Sequence, residues 1–210
     1  MLAHTRRGAG WFGKTRYLCG DAERLPIADN SVDLLFSSLT LQWCDDLGAT
    51  FAEFQRVLRP GGMVMFTTFG PDTLAELRAA WAQVDGHSHV NRFLDMHDVG
   101  DAMLSAGLGD PVMDVDRITV HYGKALGLMR DLKAIGAHNV TAGRPQGLIG
   151  CQRLRAVEEA YESMRGERGL PASYEVVYGH AWAGEGGGAG CATAPQGEAT
   201  VSFEQLRRKL

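Results

Sequence analysis

An acidic residue stands where a buried strand is expected to turn into a loop, in the run RYLCGDAERLP over residues 16–26. The β-prone residues at 16–19 predict the strand, and Gly20 and Asp21 end it. In an open α/β sheet, ligands bind just beyond the carboxyl ends of the strands. Asp21 is therefore a candidate ligand-binding residue, although an acid that caps a turn would look the same.

A second predicted strand ends in small polar residues. The run from Val32 to Ser38 is short and apolar, as a buried parallel strand is, and it finishes in Ser37 and Ser38 with Leu39 next. We expect these residues to lie at the sheet edge that also carries Asp21. Ordinary strand termination explains the same residues equally well.

The cysteines and histidines favour no metal site. Four cysteines are scattered singly, at positions 19, 44, 151 and 191, without the short C-x-x-C spacing of zinc or redox motifs. The seven histidines form no His-x-x-x-His pair. We predict that no metal is bound and that the thiols are reduced, as in a cytoplasmic protein.

Length and charge limit the class of protein further. A chain of 210 residues suits one domain with a cap. The formal net charge of −4 offers no basic surface for nucleic acid, and no long apolar run could span a bilayer. We therefore expect a cytoplasmic protein that binds neither nucleic acid nor membrane.

The elements that must position these residues alternate between strand and helix. Hydrophobic spacing predicts strands over residues 16–19, 32–38, 63–68, 112–122 and 174–182. It predicts helices over 47–58, from Thr73 to about 84, over 97–106 and 124–135, and around 154–164. Thr73 and Glu76 have the spacing of a capping box. This alternation favours a doubly wound α/β architecture with a parallel sheet.

Several motifs resemble known families. CGDAERLP at 19–26, SVDL at 31–34 and RVLRPGG at 56–62 follow the order and spacing of class I S-adenosylmethionine-dependent methyltransferases. Other segments resemble the malonyl-acyl carrier protein methyltransferases of biotin synthesis, and that likeness runs from about residue 1 to 182. They are LQWC at 41–44, FTTFGPDTLAELRAAWAQVD at 66–85, HVNRF at 89–93, and LKAIGAHN at 132–139 with the following Gly143-Arg144.

The resemblance implies a Rossmann-like class I methyltransferase sheet with a helical insertion that forms a cap. In such proteins a G-x-G loop follows the first strand, and an acid that binds ribose hydroxyls follows the second. Neither precedes Asp21 here, and Gly8-Ala9-Gly10 follows no predicted strand. We therefore expect a sheet that lacks its first βαβ unit, and a truncated chain that is inactive and binds the cofactor weakly. A partial methyltransferase domain over 1–183 should precede a disordered glycine-rich linker at 184–199 and a tail at 200–210.

The resemblance also implies roles for individual residues. Asp21 and Ala22 would contact the adenine of S-adenosylmethionine, and the strand end at Ser37, Ser38 and Leu39 would lie beside the reacting methyl group. Gln42 and Trp43 match the family pattern as substrate-binding residues, although Trp43 could equally be core packing. His89 and His138 could also face the pocket, although they are more simply interpreted as solvated or core residues.

Three cations in the family-like segments are further substrate-binding candidates: Arg92, Lys133 and Arg144. An arginine fork can hold a carboxylate such as that of a malonyl group. Lone surface cations are commoner than substrate clamps, so this alternative stays open. Arg144 is the favoured candidate because it lies in a glycine-flanked loop.

The reaction implied is methyl transfer from S-adenosylmethionine to the free carboxylate of a malonyl group carried on acyl carrier protein, its partner. A carboxylic acid is already ionised at neutral pH, so we expect no catalytic nucleophile, base or metal. One alternative is a methyltransferase-fold hydroxylase related to assembly factors of respiratory complex I, whose tail resembles residues 199–206. The other is a non-catalytic fragment that binds a partner.

Overall fold

The computed structural model describes residues 16–137 and 150–184. Predictions about residues 1–15, Arg144, His138 and the segment from 185 to 210 lie outside these ranges. The described elements are β1 (Val32–Ser38), a 3-10 turn (Leu41–Trp43), α1 (Leu47–Val57), β2 (Leu58–Phe69), α2 (Ala75–Ala82), α3 (Met96–Ser105), β3 (Leu108–Tyr122), α4 (Ala125–Ala134), α5 (Cys151–Glu162) and β4 (Leu170–Ala183). Among them, no helix combines the length and the apolar character needed to cross a membrane.

The strands form one mixed sheet in the order β1-β2-β4-β3. Only β1 and β2 are parallel, because α1 crosses over between them. β4 lies between β2 and β3 and runs antiparallel to both. The expectation of a parallel sheet is therefore wrong for two of the three described strand pairings, since hydrophobic alternation does not specify strand direction.

Most predicted elements are confirmed, and the predicted strand over residues 16–19 is wrong. In the structure, residues 16–20 have no regular secondary structure. A strand needs a neighbour to pair its N–H and C=O groups, and within the described sheet β1 pairs with β2 alone. Residues 16–20 therefore have no neighbouring strand to pair with in the described sheet.

The capping box predicted at Thr73 is also wrong. The helix α2 begins at Ala75, and its N-cap Leu74 has a left-handed backbone with φ of 56°. The hydroxyl of Thr73 instead donates to the carbonyl oxygen of Glu175 at 3.0 Å and accepts from the Glu175 amide at 3.1 Å. The Thr73 hydroxyl is therefore bonded to a residue 102 positions away along the chain, and it does not form a local capping box.

Two apolar clusters hold the helices on the sheet. The first joins α1 and α3 to β2, and its fully buried residues include Phe51, Val99 and Met103. The second joins α2, α4 and α5 to the beginning of β4, and includes Leu128 and Tyr161. Helices α4 and α5 are inserted between β3 and β4 and pack in this second cluster.

Part of one sheet face carries apolar side chains that no described element covers. Phe36 of β1 is 68% exposed, and Met65 beside it is 39% exposed. Tyr178 and Trp182 of β4 are also exposed, and strand register places them on the same face. The second cluster covers this face only near the beginning of β4.

Candidate functional site

A cavity of about 80 Å³ lies between the end of β2, helices α2 and α4, and the segment at residues 89–93. Aromatic rings form much of its wall. Phe69 lies 5.6 Å from Phe93 and 6.0 Å from Tyr174, centroid to centroid, and Trp43 also lines the cavity. Polar groups enter it from Gln42, His89 and Asn91. Such an apolar space with few polar groups is typical of a small-molecule site.

The end of β1 is joined to this cavity through Gln42. Leu39 has a left-handed backbone with φ of 48°, a conformation that a residue with a Cβ atom seldom adopts. Its amide donates to the carbonyl oxygen of Thr67 at 2.9 Å, and its own carbonyl accepts from Gln42 Nε2 at 2.7 Å. Strained backbone of this kind is held in place by its surroundings and is found most often at functional sites.

The loop that carries Asp21 is anchored by carboxylates. Asp21 Oδ1 accepts from the Glu23 amide at 3.1 Å, so the turn-capping interpretation of this acid is seen in the structure. Glu23 Oε1 in turn accepts from the amides of Asp45 and Asp46, at 2.6 and 3.0 Å. The loop is thereby fixed to the segment that follows Gln42.

Helix α1 holds the rest of this loop. Glu53 Oε2 accepts from the Leu25 amide at 2.8 Å. Arg56 donates to the carbonyl oxygens of Leu25 and Ile27 at 3.0 and 2.9 Å. The hydrogen bond from Arg56 also keeps the pKa of Glu53 below its ordinary value. The loop thus has little regular structure but a defined position.

His89 is fixed at the wall of the cavity by two contacts. Its Nε2 lies 2.9 and 3.1 Å from the two oxygens of Asp85, and its ring stacks on Trp81 at 3.6 Å with an angle of 11°. Burial opposes the charge of Asp85, but hydrogen bonds from the His87 amide and His89 outweigh it and hold the pKa of Asp85 below its usual range. Asp85 is therefore an ionised acceptor at neutral pH.

A second ionisable group at the cavity is Tyr174. Burial, together with the neighbouring Tyr122, raises the pKa of Tyr174 to about 12. Burial and a hydrogen bond to Asp131 likewise raise the pKa of Tyr122. Both phenols are neutral at physiological pH, so Tyr174 can offer the cavity a hydroxyl but no charge.

The predicted substrate residues divide between the wall and its surroundings. Gln42 and Trp43 line the cavity, whereas Arg92 and Lys133 are exposed and do not. Each of these two cations is next in sequence to a lining residue. Within residues 16–137 and 150–184, no cluster of His, Cys, Asp and Glu could hold a metal ion.

Sequence reasoning considered His89 as a pocket residue but favoured a solvated or core position, and it did not select Tyr174. His89 lies in the HVNRF segment, so the resemblance contained a signal for it. Tyr174 carries no such signal, because it reaches the cavity from β4, far along the chain. Three segments distant in sequence meet here, and only the fold shows it.

The fold is that of the methyltransferases. A family model described as "Methyltransferase domain" matches residues 1–66. The structure is similar to the YcgJ protein from Bacillus subtilis, with a TM-score of 0.55, 16% identity, and coverage of 88% of this chain and 76% of that one. It is also similar to the Bacillus halodurans protein BH2331, with a TM-score of 0.52, 15% identity, and coverage of 79% and 70%.

Curated relatives define the family more narrowly. The chain is 57% identical over 165 residues to a malonyl-acyl-carrier protein O-methyltransferase from Laribacter hongkongensis, over 79% of this chain and 56% of that protein. It is 49% identical to the protein of that name from Halorhodospira halophila, over 100% of this chain and 71% of the relative. The chain belongs to the malonyl-acyl-carrier protein O-methyltransferase family, which confirms the resemblance found in the sequence. It spans 56% of the length of the Laribacter protein and 65% of the relative from Gallionella capsiferriformans.

Proposed function

We propose that this protein acts in the methylation, by S-adenosylmethionine, of the free carboxylate of a malonyl group carried on acyl carrier protein. The observation that carries this proposal is the 49% identity to a relative of that name along the whole chain. The cavity supports it, because a small apolar space suits a short acyl group. Its described wall has no carboxylate side chain that would repel an anionic acceptor.

The cofactor is assigned to the anchored loop and the end of β1. Asp21 and Ala22 would face the adenine, and Ser37, Ser38 and Leu39 would lie next to the sulfonium. The anchoring of the loop and the strained backbone of Leu39 support this assignment, since both fix backbone groups in advance of binding. When bound, S-adenosylmethionine supplies an electrophilic methyl group.

The protein's own residues orient the acceptor and exclude water. The carboxylate is already ionised at neutral pH, so no general base is required. Placing an oxygen in line with the methyl group then provides most of the rate. The rings of Trp43, Phe69, Phe93 and Tyr174 would surround the acyl group, with Gln42 at the junction to the cofactor side. Arg92, Lys133 and Arg144 are assigned to attracting the anionic acceptor to the site.

Methyl transfer to defined acceptors tests the proposal. The purified chain is incubated with malonyl-acyl carrier protein or acetyl-acyl carrier protein, and the products are weighed by mass spectrometry. Millimolar S-adenosylmethionine is used because the sequence predicts weak cofactor binding. The proposed activity gives one methyl ester on the malonyl protein and none on the acetyl protein, which has no free carboxylate. This result would also show that the expected inactivity of the chain is wrong. Absence of transfer to either, or equal transfer to both, would contradict the proposal.

A further inference from the structure

The described wall of the cavity contains very few ionisable groups that could recognise an anion. No Asp, Glu, Lys or Arg side chain lines it in the ranges 16–137 and 150–184. Its ionisable members there are His89 and Tyr174, and burial keeps Tyr174 a neutral phenol. Among these groups, only His89 can present a positive charge to a ligand in the cavity.

The orientation of His89 is determined before any ligand binds. Its side chain is 7% exposed and that of Asp85 is 11% exposed. Asp85 contacts Nε2 of the ring, and the stacked Trp81 fixes the ring plane. Arg153, with Nη1 4.0 Å from Asp85 Oδ2, is another charged group near the pair. Because the Asp85 carboxylate is an acceptor, Nε2 carries a proton, and Nδ1 is the nitrogen left for a ligand.

The geometry points to His89 as the group that recognises the negative end of the acceptor. This inference rests on the proposed function. In its imidazolium form the ring donates Nε2–H to Asp85 and Nδ1–H to one oxygen of the malonyl carboxylate. The ring then links the two carboxylates through one donated hydrogen bond to each.

A single imidazolium hydrogen bond suits methyl transfer to a carboxylate. One carboxylate oxygen is held by Nδ1–H while the other remains free to attack. As the new O–CH3 bond forms, the S–CH3 bond breaks and its electron pair goes to the sulfur, so no proton moves. The product is a neutral ester, which accepts a weaker hydrogen bond than the carboxylate did. His89 therefore selects the substrate over its own product.

Binding of two matched probes to the 210-residue chain tests this role. Malonyl-pantetheine carries the carboxylate, and its methyl ester lacks only the charge. We expect the unmodified protein to bind the acid about tenfold to hundredfold more tightly than the ester, as one charge-assisted hydrogen bond allows. The His89→Phe variant keeps a ring on Trp81 but should lose this preference. His87→Gln, two residues away with an exposed side chain, should retain it.

The outcomes separate this inference from the proposed function. If the unmodified protein prefers the acid and His89→Phe does so equally, His89 is not the recognition group, while the proposed function stands. If the unmodified protein binds neither probe, or binds both equally, the inference about His89 is wrong, whereas the proposed function is decided separately by methyl transfer to malonyl-acyl carrier protein. A merely structural role would weaken binding of both probes together and leave their ratio unchanged, which also contradicts the inference.

A spectroscopic measurement avoids dependence on a folded variant. Nitrogen-15 spectra of the unmodified protein distinguish a neutral imidazole from an imidazolium with two protonated nitrogens. At neutral pH we expect saturation with malonyl-pantetheine to give the imidazolium pattern for His89, and its methyl ester to give none. A neutral His89 in the complex with malonyl-pantetheine would overturn the assignment.

Discussion

The carboxylate of Glu175 lies directly against Gly70. A Cβ atom on Gly70 would stand 2.5 Å from Glu175 Oε2, which accepts from the Asp72 amide at 2.9 Å. Glu175 Oε1 also accepts from Arg117 Nη2 at 3.0 Å. This contact between β4 and the turn after β2 positions Thr73 and Leu74, both of which line the cavity. While Glu175 stays in place, position 70 has room for glycine but not for a residue with a Cβ atom.

Substitution of Gly70 should reveal this coupling. Gly70→Ala is expected to lower the free energy of unfolding by about 1–3 kcal/mol, because the new methyl group displaces a buried, hydrogen-bonded carboxylate. In a Glu175→Ala background the same substitution should cost much less, since the obstructing side chain is absent. Urea unfolding of the two single variants and the double variant measures the difference.

Gly86→Ala is the matched control, because a Cβ atom there would have no neighbour within 4 Å. It should leave stability nearly unchanged. Equal losses for Gly70→Ala in both backgrounds would show that Glu175 is not the obstacle.

The hydrogen bond from Gln42 to Leu39 should matter for both stability and reaction rate. Gln42→Leu keeps about the same side-chain size but removes the donor that holds the carbonyl of Leu39. We expect a loss of about 1 kcal/mol in unfolding free energy and, because the end of β1 loosens, a fall in methyl-transfer rate. Gln83→Leu, on the exposed end of α2, is the control for adding an apolar side chain. An unchanged methyl-transfer rate in Gln42→Leu would show that this hydrogen bond at the end of β1 does not contribute to catalysis.

The pH dependence of stability should report the contact between Glu53 and Arg56. Arg56 lowers the pKa of Glu53 in the folded protein, whereas an unfolded glutamate titrates near about 4.3. The pair therefore stabilises the fold above the unfolded pKa, and this contribution is lost as pH falls through the folded pKa. Between about pH 5 and pH 3, the unmodified protein should lose more stability than Glu53→Gln.

Chemical unfolding at a series of pH values checks this expectation. Glu159→Gln, on the exposed face of α5, is the control and should follow the unmodified protein. Parallel curves for Glu53→Gln and the unmodified protein would exclude the contact as a source of acid sensitivity.

Arg92 and Lys133 should act on the acceptor through long-range attraction. Both side chains are exposed, so their effect should be screened by salt. We expect Arg92→Gln and Lys133→Gln to weaken binding of malonyl-pantetheine a few-fold at low ionic strength and hardly at all at 0.5 M salt, roughly, where the Debye length is only a few Å. Arg155→Gln on α5 is the control. A loss that persists at high salt would instead indicate a direct clamp.

Local patterns were sufficient for much of the fold. β1 is found over the predicted residues, and α1 is found with Phe51 and Phe54 buried as its spacing predicts. In α1 the spacing of the apolar residues in the sequence already shows which side chains are buried. The predictions fail where a contact with a distant residue determines the local structure. Thr73 is an example, because its hydroxyl is bonded to the backbone of Glu175 in β4.

The candidate site was predictable only in part, for the same reason. Gln42 and Trp43 were found because they stand in a recognisable segment. The role proposed for His89 depends on a stack with Trp81 and a hydrogen bond with Asp85, and its place in the wall depends on helices on either side. No spacing rule contains these relationships.

The anchored loop at residues 20–29 gives this protein an unusual pattern of amide protection. Amides outside helices and strands normally exchange with solvent deuterium quickly. Here the Leu25 amide is bonded to Glu53, and the Asp45 and Asp46 amides are bonded to Glu23. These protons should therefore exchange slowly, and protonating Glu53 should release that of Leu25 while the sheet still retains its own. An exchange map recorded at falling pH would thus see the loop detach first, as a separate unit.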